Sequence, residues 1–85
     1  MAKPKEVGKV IHYYGNISVA VIKVATAFSK GDTILIGKND NFRKQKVISM
    51  QRNQIRILKT RKGHQIGLKV RRKARFGDKV FKVMD

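Results

Sequence analysis

The chain has 85 residues, 41% of them hydrophobic, and carries 21 Lys and Arg against five Asp and Glu, a net charge of +16. That length holds one small domain with a modest core, and the hydrophobic share argues against disorder. Without cysteine, disulfides and thiolate metal sites are excluded; no apolar run is long enough for a membrane span or a signal peptide, so the cytoplasm is the expected setting.

The charge is lopsided. Residues 1–42 carry net +3 and residues 43–85 net +13, and all seven arginines lie in the second part. A compact chain of this kind repels itself, and a polyanion beside it relieves the repulsion. Nucleic acid is the expected partner. A membrane is not, because surface-bound segments are amphipathic helices and helical periodicity is scarce here.

A tail over residues 1–5 is expected to precede a single domain over residues 6–84. Lys9 to Tyr14 alternate with period two, but the inward phase is open because both sets contain apolar residues. Tyr14-Gly15-Asn16 reads as a hairpin turn. From Ile17 to Val24 the chain is apolar on nearly both faces, which predicts a central strand. Three later strands each follow a glycine and a polar residue: Gly31-Asp32, Gly63-His64 and Gly77-Asp78. Glycine supplies the positive φ of a tight turn, and the next side chain can close it. Inward candidates then follow at period two: Ile34 and Ile36; Ile66, Leu68 and Val70; and Phe81 with Val83, or Val80 if the phase slips.

Between these strands, residues 38–46 read as turn chemistry around Phe42. Val47 and Met50 are three apart, so one strand could bury both only with a bulge near Ser49. Ile55 and Ile57 then restart the alternation. Gly67 marks a bend or a close backbone approach. Phe28, Phe76 and Phe81 are expected in the core or at its rim. Ala74 could sit in a single helical turn. The whole predicts an all-β fold, a small closed barrel of six or seven strands.

Five stretches in this order, VGKVIHYY, ISVAVIKV, KGDTILIGK, VISMQ, and KGHQIGLKV with FGDKVFKV, resemble the second domain of translational GTPases, the β-barrel of elongation factor Tu. Short stand-alone translation-elongation-factor-like proteins look closest. The resemblance covers about residues 6–84 and implies an RNA-contacting barrel without catalytic residues. Similar barrels also occur as accessory domains of collagenase-like peptidases and in some ribosomal and RNA-modification proteins. No GxxxxGK[ST] pattern is present, so nucleotide binding does not carry over. Two departures stand out: His64 replaces the usual Asp of the turn at Gly63, and residues 51–62 hold no acid.

Three basic groups are the candidate RNA-binding residues: Arg43, Lys44 and Lys46; Arg52, Arg56, Lys59, Arg61 and Lys62; and Arg71, Arg72, Lys73 and Arg75. The last group lies in KVRRKAR, which holds five cations in seven residues. A solvated surface is the ordinary reading of such a run. Guanidinium groups, however, suit bidentate phosphate contact, and the charge is otherwise unbalanced. Tyr13, Tyr14 and Phe42 are candidates for base stacking, though packing is the commoner role. His12 and His64, with few acids and no cysteine, do not suggest a metal. No cofactor is expected. Asp32 and Asp78 are turn caps, and no nucleophile or acid–base cluster marks an enzyme. The expectation is a non-enzymatic protein that binds ribosomal or transfer RNA, or the ribosome itself, in translation, with no nucleotide cofactor and no membrane. The alternatives are a protein-interaction module docking on a translation factor or acidic partner, and an enzyme's accessory domain.

Overall fold

In the computed structural model, which describes residues 4–39 and 41–83, the period-two segments fold into eight antiparallel strands. They are β1 (Lys5–Tyr14), β2 (Val19–Val24), β3 (Thr33–Lys38), β4 (Asn41–Lys46), β5 (Met50–Arg52), β6 (Ile55–Ile57), β7 (Gln65–Lys69) and β8 (Lys79–Lys82). They form one sheet in the order β4-β3-β8-β1-β2-β7-β5-β6. The expected tail residues 1–3, and Met84 at the expected domain end, lie outside the described residues.

β1 explains the open phase of its sequence. Its register against β2 shifts between Val10 and His12, and its register against β8 shifts between Glu6 and Gly8. Each irregularity re-aims the side chains, so Val7 and Val10 are buried although three residues apart. β2 lies between β1 and β7, as its apolar faces predict; Ala20, Ile22 and Val24 are buried and Val19 and Val21 half-buried.

The sheet rolls around a single core drawn from β1, β2, β3, β5, β7 and β8 with Phe28, Val47, Val70 and Ala74 from the connections. The β2–β3 and β6–β7 connections are tied to each other at this core. The buried Thr60 Oγ1 accepts from Phe28 N–H (2.9 Å) and donates to the Phe28 carbonyl (3.2 Å), while Thr60 N–H also donates to that carbonyl (2.9 Å).

The expected closed barrel of six or seven strands is corrected to eight strands in a rolled sheet whose end strands, β4 and β6, share no ladder among the described residues. The cause lies in residues 41–57. Where the sequence suggested a turn region and then one bulged strand, the chain makes β4, a connection, and a small β5–β6 hairpin. Asn53 and Gln54 reverse that hairpin at φ 52° and 66°. Asn accepts such angles readily, but Gln does so seldom, so the pair gives a weak turn signal. In β8 the phase slips: Val80 is buried and Phe81 faces outward, half-buried. Phe76, expected in the core or at its rim, is 72% exposed.

The three glycine turns share one bonding scheme. Gly31 N–H donates to the Val47 carbonyl (2.8 Å), and Val47 N–H donates to the Asp32 carbonyl (2.9 Å). Gly63 and His64 bracket Val24 in the same way, and Gly77 and Asp78 bracket Val10. All three valines are buried. Each turn is thereby bolted to a buried core residue. Asp32 and Asp78 add a side-chain cap, each Oδ2 accepting the N–H three residues back, from Ser29 (2.8 Å) and Arg75 (3.0 Å). The turn at His64 keeps its backbone bond to the Arg61 carbonyl (3.2 Å) without such a cap.

Candidate anion-binding cleft

β4 lies at one end of the sheet and pairs only with β3. Its alternation sets Arg43 across from Ile36 and Gln45 across from Ile34, so these two side chains share one face of the strand. Both reach across to the basic run. Arg43 Nη1 donates to the Lys73 carbonyl (2.9 Å). Gln45 Nε2 donates to the Lys69 carbonyl (3.2 Å) and to the Lys46 carbonyl (3.3 Å), and Gln45 Oε1 accepts from Arg71 N–H (3.2 Å).

Residues 71–75 are therefore fixed rather than adrift. Val70 and Ala74 are buried at either side of Arg71, Arg72 and Lys73, and the Asp78 cap holds Arg75 N–H. Between this segment and β4 opens a cleft of about 340 Å³ lined by Ile36, Arg43, Lys44, Gln45, Arg71, Arg72 and Lys73. It forms a seam between β4, one end strand of the sheet, and residues 71–73; no residue of β6, the other end strand, lines it.

The cleft lining contains five cationic side chains and no acid. The three described acids are engaged elsewhere. Glu6 approaches Lys79 (3.9 Å), Asp32 pairs with Lys82 (3.3 Å), and Asp78 caps its turn. No ion pair among the described residues involves a cation of the cleft. An anion entering here would meet guanidinium and ammonium donors carried on a fixed backbone, with Arg43 itself tied to the Lys73 carbonyl.

The other candidate residues lie outside this lining. Lys46 is exposed at the end of β4, Arg52 and Arg56 on the β5–β6 hairpin, and Arg75 at the final turn. Lys59 forms an isolated bridge with Ser29, and Arg61 opens the turn to His64. Lys62 borders a different hollow with Lys9, Lys23 and Lys79. The three basic groups of the sequence are thus not one lining. Gln45 and Ala74 were not expected at the site. An amide and a methyl within a basic string carry no sequence signal of anchoring.

The stacking candidates are displaced as well. Tyr13 is half-buried against the core. Tyr14 stands edge-on to His12, centroids 4.3 Å apart. Phe42 packs edge-on to Phe81 at 5.5 Å, in an apolar hollow with Pro4 and Leu35. None of the three lines the cleft. No group of three or more His, Asp or Glu suited to a metal occurs among the described residues, and no helix there is long and apolar enough to cross a membrane.

With this geometry in hand, comparison with known proteins is decisive for the fold. The C-terminal domain of a Geobacillus thermoleovorans protein assigned to the U32 peptidases superposes with a TM-score of 0.86, covering 94% of this chain and 93% of that one at 16% identity. The selenomethionine variant of that domain gives 0.83 over 89% and 96% at 15% identity. The chain has the fold of a U32 peptidase C-terminal domain. In sequence it is 38% identical over 77 residues to a Methanocaldococcus jannaschii protein named as an uncharacterized protease. That match takes in 89% of this chain and spans 19% of the protease's length. No protein-family model matches the chain.

These relatives correct the resemblance to elongation factor Tu. The matching sequence is a protease's and the matching fold a U32 peptidase domain's, so the expectation of a stand-alone RNA-binding translation protein is overturned. The expectation of a non-enzymatic protein is contradicted by the same finding, which associates the chain with a peptidase family and agrees with the last alternative, an enzyme's accessory domain. The order of glycine turns and strands that prompted the resemblance is shared by small barrels of different affiliation, which is why it misled.

Proposed function

We propose that the chain serves a U32-type peptidase as a substrate-holding domain. The observation that carries this reading is the 38% identity over 77 residues to a protein named as a protease, supported by the shared fold of the U32 peptidase domain. The rolled sheet is then a scaffold, and the seam between β4 and residues 71–73 is its working surface. Such a domain contributes by raising the local concentration of polypeptide near a catalytic part.

The test is a chimera in which this chain replaces the matching segment of the Methanocaldococcus jannaschii protein. Peptide hydrolysis by the chimera should match that of the intact protein and exceed that of a protein lacking the segment. A folded chimera no better than the deletion would end the reading.

A further inference from the structure

The seam pairs two features that are independent of each other. One is a cleft lined by Arg43, Lys44, Arg71, Arg72 and Lys73 with no acid. The other is the outer edge of β4. In an antiparallel pair, alternate residues direct their N–H and C=O groups away from the partner strand. β4 pairs with β3 alone, and no other backbone–backbone bond reaches residues 41–46 among the described residues. Alternate residues of β4 therefore turn backbone groups without a backbone partner to the edge beside the cationic cleft, the Lys46 carbonyl alone being met by the Gln45 amide.

We propose that β4 accepts an extended acidic peptide as an added strand, its carboxylates meeting the cations of the cleft. Strand addition takes affinity from main-chain bonds and selectivity from alternate side chains. Here five of the seven side chains lining the cleft beside that edge are cationic and none is acidic, so acidic residues are selected. The charge also excludes a second copy of this chain as the occupant, because two such edges would bring like charges together. The cleft lining holds no aromatic side chain, which removes the stacking platform that single-stranded nucleic acid uses. This proposal rests on the substrate-holding reading and specifies its substrate.

The test uses the whole chain and a peptide as long as β4, six residues, alternating Glu and Thr with both ends blocked. The comparisons are the same peptide with Gln for Glu and an oligothymidylate of equal charge. Binding is followed by NMR titration with amide hydrogen exchange. The acidic peptide should bind, the Gln peptide should not, and an alternating set of β4 amides should gain protection. Raising salt from about 0.01 M to about 0.15 M, which shortens the Debye length from about 30 Å to about 8 Å, should weaken binding by about tenfold or more. Arg71→Ser with Arg72→Ser should weaken it by about tenfold, a loss of about 1.4 kcal/mol. Neither side chain makes a hydrogen bond within the described residues, so the fold should persist.

Lys9→Ser with Lys23→Ser removes equal charge beside a different hollow and should do much less. Equal losses from the two pairs, equal binding of the Gln peptide, or binding without new β4 protection would each overturn the proposal. Tighter binding of the oligonucleotide, lost in the Arg71 and Arg72 variant, would assign the cleft to nucleic acid instead. An active chimera alongside absent peptide binding sinks this inference alone. Peptide binding alongside an inactive chimera sinks the peptidase reading.

Discussion

Arg43 donates through Nη1 to the carbonyl of Lys73, 2.9 Å away and 30 residues along the chain. A cation of β4 thus spends a donor on holding the basic run in place. Gln45 does the same two residues on, at Lys69 and Arg71. The two side chains set the width of the cleft.

Replacing Gln45 by Leu tests these ties. The variant leaves the Arg71 N–H and the Lys69 carbonyl without their protein partner, at a site water can reach. The stability lost should be about 0.5–1.5 kcal/mol. Exchange of the Arg71 amide should quicken while core amides, such as that of Leu68, stay slow. Unchanged exchange at Arg71 would mean that the buried Val70 and Ala74, the Arg43 tie and the Asp78 cap hold the segment without Gln45.

Thr60→Val should be costlier. The hydroxyl is buried and serves both the N–H and the carbonyl of Phe28. The valine keeps the volume but strands a buried N–H, a penalty of about 1–3 kcal/mol. Urea unfolding should show a lower midpoint with an unchanged slope.

How far the sequence revealed these features depended on the kind of signal. Where one residue type has one physical use, it was legible: the glycine turns before β3, β7 and β8 formed as expected, and Ile34, Ile36, Ile66, Leu68 and Val70 are buried. β4 was read as turn chemistry because Asn41, Arg43, Lys44, Gln45 and Lys46 are polar on both faces. An end strand beside a cleft has no dry face to announce it. Lys62 and Arg71 looked alike in sequence, yet they border different hollows, because strand order, not chain order, decides which charges meet.

His64→Asp should stabilise the protein. The turns at Asp32 and Asp78 carry a carboxylate that accepts the N–H three residues back, and the turn at His64 lacks it. The substitution supplies that acceptor for Arg61 N–H and adds an acid beside Arg61 and Lys62. A gain of about 0.5–1.5 kcal/mol is expected. Asn at the same position should give less, since a charged acceptor bonds more strongly. A destabilised Asp variant would show that the His64 ring itself is needed.

Gly37→Ala should open the seam. A methyl at Gly37 would collide with the Asn41 carbonyl and come within 2.7 Å of the Phe42 Cα, both backbone atoms of β4. Neither can rotate away, so the two strands must part where the register pairs Gly37 with Phe42. Overpacking of this kind costs about 1–3 kcal/mol. Because β4 has a neighbour on one side only, the strain should be relieved there and not through the core. Cross-strand NOEs between β3 and β4 should fade while those between β1 and β2 remain. The Arg43 tie to Lys73 should loosen with them, and any ligand of the cleft should bind more weakly although no cleft cation has changed. If stability falls while both the β3–β4 NOEs and cleft binding survive, then β4 is held by more than its ladder with β3, and the seam is not the yielding part of the fold.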